Sequence, residues 1–257
     1  MKLGGSAFYS VLIVGFLTGA GYILNIVTFP FLRETLSYES LTLLGRIESL
    51  LFLIYSIMGF GLNTVINKAI LNEVDVSDVY GRAVQARLLA AFIISLIALA
   101  VFGFEDFVLV VFCTLYSAAL VFQFDFAMYA SGEPIRASLV SFARVSLPLV
   151  IFLLLLYLLK ADVGLYALLI VAFTSATALY IKKHLCLPDL KWPRLNELRF
   201  YTSSYQAGLI STIQTIMRSS VYLPVSIIFD VDHVVFLAYL KIYLVVVGFR
   251  RMVVQTL

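Results

Sequence analysis

Apolar runs of about twenty residues, separated by short polar interruptions, follow one another along the whole chain. Eight can be delimited, at residues 7–32, 41–70, 88–104, 107–129, 135–159, 163–181, 205–229 and 234–249. A bilayer core about 30 Å thick needs roughly 20 helical residues to cross it, and each run is near that length. The runs are continuous in Leu, Ile, Val and Ala, whereas barrel strands would alternate in polarity over about ten residues. The first run is too long for a cleaved signal core and reads as an uncleaved helix. The pattern predicts an all-α polytopic membrane protein with about eight transmembrane helices.

The polar interruptions alternate in charge. Lys2, Lys68, Arg82, Arg87, Arg136, Lys182, Lys183, Lys191, Arg194, Arg199, Arg250 and Arg251 all fall on one side, and only Arg33 and Lys160 on the other. Basic loops stay in the cytoplasm, so both termini are expected there. The longest connection, KKHLCLPDLKWPRLNELR at 182–199, carries Pro188, Trp192 and Pro193. It fits either a basic segment lying on anionic lipid or a plain linker. It divides the chain into a six-helix lobe at 1–183, a linker at 184–201 and two helices of a second lobe at 202–257.

Composition agrees with a membrane protein: 62% hydrophobic, 13% charged and a mean hydropathy of +1.03. Soluble domains carry about 25% charge. The net charge of +3 adds little. Cys113 and Cys186 are too few for a disulfide framework and read as free thiols. His184 and His233 fall on opposite sides, so they share no metal. No phosphate-binding loop, nucleophile elbow or CxxC is present. The outer loops are too short for a folded acceptor site. The chain is therefore expected not to be an enzyme, and to use no cofactor, metal or nucleic acid.

The candidate chemistry lies inside the runs. Arg46, Arg144, Arg218 and Lys241 interrupt apolar sequence, and near-midplane cations cost at least about 2.5–3.5 kcal/mol. Arg46 reads as an interfacial anchor, a partner of Glu48, or a cavity cation. Asp125 balances Arg144 or Arg218, or takes part in proton coupling. The excess of buried cations suits an anionic cargo, and guanidinium matches phosphate in bidentate geometry. Asn25, Asn63, Asn67, Gln123 and Gln214 serve either as interhelical hydrogen bonds or as walls of a hydrated cavity. Pro30 marks the end of the first helix, and Pro148 and Pro224 are candidate bends. Gly15 and Gly19 form a GxxxG pair suited to close packing.

Three stretches carry a family resemblance. Asn25 and Pro30 precede FLRETLSYES, GFGLNTVINKAI leads to YGRAVQARLL, and FYTSSYQAGLISTIQTIMRSSVYLPVSIIF opens the seventh run. Together they resemble Wzx-type O-antigen flippases of the multidrug/oligosaccharidyl-lipid/polysaccharide exporter superfamily. The resemblance implies a bacterial inner-membrane transporter with a cationic cavity between two lobes. It would move undecaprenyl-diphosphate-linked sugars by alternating access, among membrane lipids and other polysaccharide-assembly proteins. Arg46, Arg144, Arg218 and Lys241 would contact diphosphate or acidic sugar, with Asp125 as counter-ion or coupling site. Family members carry about twelve or more helices, so eight imply a truncated chain or one that dimerises. The alternatives are a drug/cation antiporter of the same superfamily, or an assembly component without transport activity of its own.

Overall fold

A computed structural model describes residues 5–72, 76–103, 105–187, 208–210 and 213. Among them the order is α1 (Gly5–Thr35), α2 (Tyr38–Gly59), α3 (Leu62–Leu71), α4 (Val76–Phe102), α5 (Phe107–Ala119), a 3-10 turn (Leu120–Phe122), α6 (Asp125–Ala130), α7 (Pro134–Leu159) and α8 (Val163–His184). No strand occurs among the described residues. The protein is an all-α polytopic membrane protein. Five stretches of the described residues are long and apolar enough to cross a bilayer: Tyr38–Gly59, Ser77–Phe102, Phe107–Ala130, Pro134–Leu159 and Val163–His184. Arg218, Lys241, Gln214, Pro224 and most of the last two expected helices and of the 184–201 linker lie outside the described residues.

The helices pack α1 on α7, α7 on α8, α8 on α5 and α5 on α4, with α2 against α4, α5 and α8. The seam is filled by Leu44, Ile47, Ile54 and Met58 of α2, Phe112 and Tyr116 of α5, Phe152 of α7 and Tyr166 of α8. Phe112 stacks on Tyr116 with centroids 5.3 Å apart, and Phe152 meets Tyr166 at 5.2 Å. Helix ends follow local chemistry. Ser37 caps α2 by accepting from the Ser40 amide, and Asp162 caps α8 by accepting from the Leu165 amide. Lys182, Lys183 and His184 close α8, where positive charge meets the negative end of the helix dipole.

Several expectations change. α1 continues through Pro30 to Thr35 instead of stopping there. Close packing of α1 falls at Gly21, where a Cβ would lie 2.7 Å from the Ser146 hydroxyl; one at Gly19 would meet nothing within 4 Å. The third expected helix starts twelve residues earlier than its apolar run, at Val76, because the polar residues before Leu88 still pack by helical period. Two expected continuous helices are each broken in two, at residues 60–61 and 120–124.

Candidate functional site: a polar centre at two broken spans

The first break is written in the sequence. Gly59, Phe60 and Gly61 separate α2 from α3, and Gly61 takes the left-handed conformation (φ 76°) that glycine adopts without steric cost. The Phe60 amide still donates to Ser56 O at 2.9 Å, and Thr64 N restarts the ladder on Gly61 O at 3.0 Å. Gly208 sits on this break: a Cβ there would lie 2.7 Å from the Phe60 ring and 2.8 Å from its carbonyl oxygen.

The second break has no glycine or proline. After α5 the chain tightens through Leu120–Phe122, leaves helical geometry at Gln123 (ψ 86°) and Phe124 (ψ 42°), and restarts at Asp125. Breaking a helix inside a bilayer frees carbonyls that water cannot reach, at several kcal/mol each. Here a side chain takes them. Arg87 Nε donates to Met58 O at 3.0 Å, and its Nη1 donates to Gln123 O at 2.7 Å and Leu120 O at 3.3 Å. One guanidinium thus binds the carbonyl ends of both broken spans, where the helix dipoles are negative. It also lies over the Phe124 ring, 4.1 Å from the centroid.

Arg87 corrects the sequence reading, which placed it in a cytoplasmic loop. It is 3% exposed, eleven residues into α4, or about 16 Å along the axis. A signal for this was present. Tyr80, Ala83, Val84, Ala91, Ile94 and Ala98 are buried at helical spacing, and Arg87 falls on the same stripe. Arg82 lies off the stripe, exposed and paired with Asp78.

Beside the breaks sits an ion pair. Arg144 (7% exposed) donates from Nη2 to Asp125 Oδ2 at 3.3 Å, and the Tyr55 hydroxyl donates to Asp125 Oδ1 at 3.3 Å. The Arg144 guanidinium also lies over the Tyr55 ring at 4.6 Å. Arg144 comes from α7, Tyr55 from α2, and Asp125 is the first residue of α6. Of the two partners open to Asp125, Arg144 is brought to it, and Arg218 lies outside the described residues. Nη1 of Arg144 is buried without a partner.

The other candidates divide. The Gln123 side-chain oxygen lies 3.2 Å from the Thr177 hydroxyl, its amide nitrogen is buried without a partner, and so is the Thr174 hydroxyl. Asn67 is half-buried with an unpartnered carbonyl oxygen. Asn25 lies in α1 and Asn63 in α3, and their side chains lie outside what is described. The expected Arg46–Glu48 pair gives way to Arg46–Asp106 at 3.2 Å, between α2 and the start of α5. Residues two apart on a helix do not face each other. Glu48 is buried instead, close enough to Tyr166 for the two to interact electrostatically.

Outside the spans, Glu133 accepts from His184 at 2.7 Å and from Arg136 at 3.1 Å, and His184 stacks on Tyr180. The hydrogen bond from His184, then that from Arg136, holds the Glu133 carboxyl below its ordinary range. A cavity of about 410 Å³ lies elsewhere, between α1 and α7, and none of the charged groups lines it. Its walls are apolar except at Thr28 and Tyr157.

Comparison of the chain with protein-family models, with curated proteins and with solved structures finds no match.

Proposed function

We propose that this chain is a transporter lobe of the polysaccharide-flippase kind, carrying undecaprenyl-diphosphate-linked sugars across the bacterial inner membrane. The observation that carries the reading is Arg144: a buried guanidinium at two broken spans, with one nitrogen paired to Asp125 and another free. Ionisable groups at such depth mark substrate or ion pathways, and broken helices supply transporter binding sites. A diphosphate would meet Arg144 Nη1 first and then compete with Asp125 for the rest of the fork. Gln123 would offer its free amide nitrogen to a sugar or phosphate oxygen. Arg46, Arg218 and Lys241 are proposed as further contacts along the path, with both termini in the cytoplasm. A drug/cation antiporter fits less well, because Asp125 is already neutralised by Arg144.

The test is surface polysaccharide in a host that depends on the protein. Arg144→Ala and Arg218→Ala should each abolish it while membrane insertion persists. Normal polysaccharide in both variants overturns the assignment.

A further inference from the structure

The two breaks share more than Arg87. Beyond them, the half-helices α3 and α6 pack on each other. Before them, α2 and α5 pack on each other and on α8. The chain is therefore split at one level into a larger body and a smaller pair of half-helices. α3 also packs on α4 and α6 on α7, where the Tyr129 and Ser138 hydroxyls lie 2.9 Å apart; at the breaks themselves two polar contacts bridge this level, and they differ in kind.

The Arg87 contact is made to main chain. Met58 O belongs to the body, and Gln123 O belongs to the non-helical link that leads into α6. Carbonyl groups cannot rotate away as side chains do, and the guanidinium cannot lose its charge. The Asp125 contact is made between side chains only. Both of its bonds are 3.3 Å, at the long end of the range for hydrogen bonds. Asp125 opens α6, Tyr55 belongs to α2, and Arg144 belongs to α7. This contact ties the smaller unit to the body through groups that rotamer changes can release, and Arg144 keeps a buried N–H to offer elsewhere.

We propose that α3 and α6 move as one flap, hinged on Arg87 and latched by the Asp125–Tyr55–Arg144 contact. Glycines sit where such a motion needs backbone freedom, Gly61 (φ 76°) at the first break and Gly132 (φ 84°) at the far end of α6. The hinge keeps the freed carbonyls paired while the flap turns. The latch opens when Asp125 leaves Arg144. The mechanics stand whatever the cargo; only the use of the flap as a gate rests on the proposed transport.

The test is a set of spin-label distances on the full chain in nanodiscs, with both native cysteines replaced by serine. Labels at Lys68→Cys in α3 and Ser131→Cys after α6 report the flap, and Leu179→Cys in α8 reports the body; all three positions are exposed. Removing the charged hydrogen bond in Asp125→Asn, worth about 1.5–3 kcal/mol, should raise the open-to-closed ratio about tenfold or more. The 68–179 and 131–179 distances should then change together while 68–131 stays fixed. Arg87→Gln should instead broaden 68–131, because the two half-helices lose their common hinge. Where Arg87→Gln does not assemble, Arg87→Lys is read for the same broadening. Movement of only one half-helix in Asp125→Asn, no movement of either, or an unchanged 68–131 distance in the Arg87 variants overturns the proposal. None of these readouts requires a cargo, so they are independent of the polysaccharide assay.

Discussion

The Asp125–Arg144 pair makes an asymmetric prediction about stability. Removing one member of a buried pair costs about 3–5 kcal/mol, because the remaining charge stays buried without its partner. The two remaining charges do not have the same escape. In Arg144→Met the lone carboxylate keeps the Tyr55 hydroxyl at 3.3 Å and can take a proton. Protonating an ordinary aspartate at pH 7 costs about 4 kcal/mol, and that ceiling falls by about 1.4 kcal/mol per pH unit toward acid. In Asp125→Asn the guanidinium has no such route: neutralising it at pH 7 costs roughly twice as much. Asp125→Asn should therefore be the worse variant, and its deficit should not shrink on acidification. Arg144→Met should recover most of its deficit between pH 7 and pH 5. The double variant should cost less than Asp125→Asn alone, since no unpaired charge remains. The assay is unfolding by denaturing detergent in mixed micelles, followed by circular dichroism at pH 5 and pH 7. Additive single effects in the double variant, or a pH-independent Arg144→Met, would refute the pairing and the burial on which the reasoning rests.

Four further outcomes are expected. Gly208→Ala should destabilise by about 1–3 kcal/mol, because its Cβ meets the fixed Phe60 carbonyl as well as the movable ring; an unchanged thermal midpoint contradicts that contact. Gly21→Ala should also lower the midpoint, and Ser146→Ala should restore it by removing the hydroxyl 2.7 Å from the new Cβ. The lowered Glu133 carboxyl adds stability that is complete above its unfolded value near 4.5 and is lost as pH falls through its lower folded value; in a thermal-midpoint profile from pH 3 to pH 6, Glu133→Gln should lie below the native protein above about pH 4.5 and converge with it toward pH 3. Asp106→Asn should change stability by no more than about 1 kcal/mol, since the Arg46–Asp106 pair is partly exposed; a larger loss would mean the pair is shielded from water.

The bounds of α7 and α8 and the start of α5 follow the apolar runs closely, because hydrocarbon thickness sets run length. The break at 60–61 is legible, since GFG offers a left-handed position, although the apolar run continues through it. The break at 120–124 is not legible. VFQFD contains no breaking residue, and where it departs from helix a guanidinium from α4 donates to the freed Leu120 and Gln123 carbonyls. That is a tertiary effect, invisible to any window on α5. Arg87 itself is legible as a cation at helical spacing from Ala83, Val84 and Ala91, although its place at the end of an apolar run favours a loop. The Arg46–Asp106 pair joins residues sixty apart, and sequence offered only the nearer Glu48.

Counting buried cations is therefore the wrong measure of what is left for an anion. Arg87 is more deeply buried than Arg144, yet its Nε and Nη1 are committed to carbonyls of the two breaks. Arg46 is bound to Asp106. Among the described residues, Arg46 and Arg144 each keep a buried nitrogen free beside a side-chain ion pair, but the Arg46–Asp106 pair is partly exposed and the Arg144–Asp125 pair is buried. Under the proposed transport, an incoming phosphate replaces a carboxylate on the same fork. An exchange of that kind leaves Arg144 paired before and after, so the penalty for a lone buried guanidinium is avoided in both states. It also frees Asp125 in the same step, which makes cargo binding and release of the α6 tether a single event.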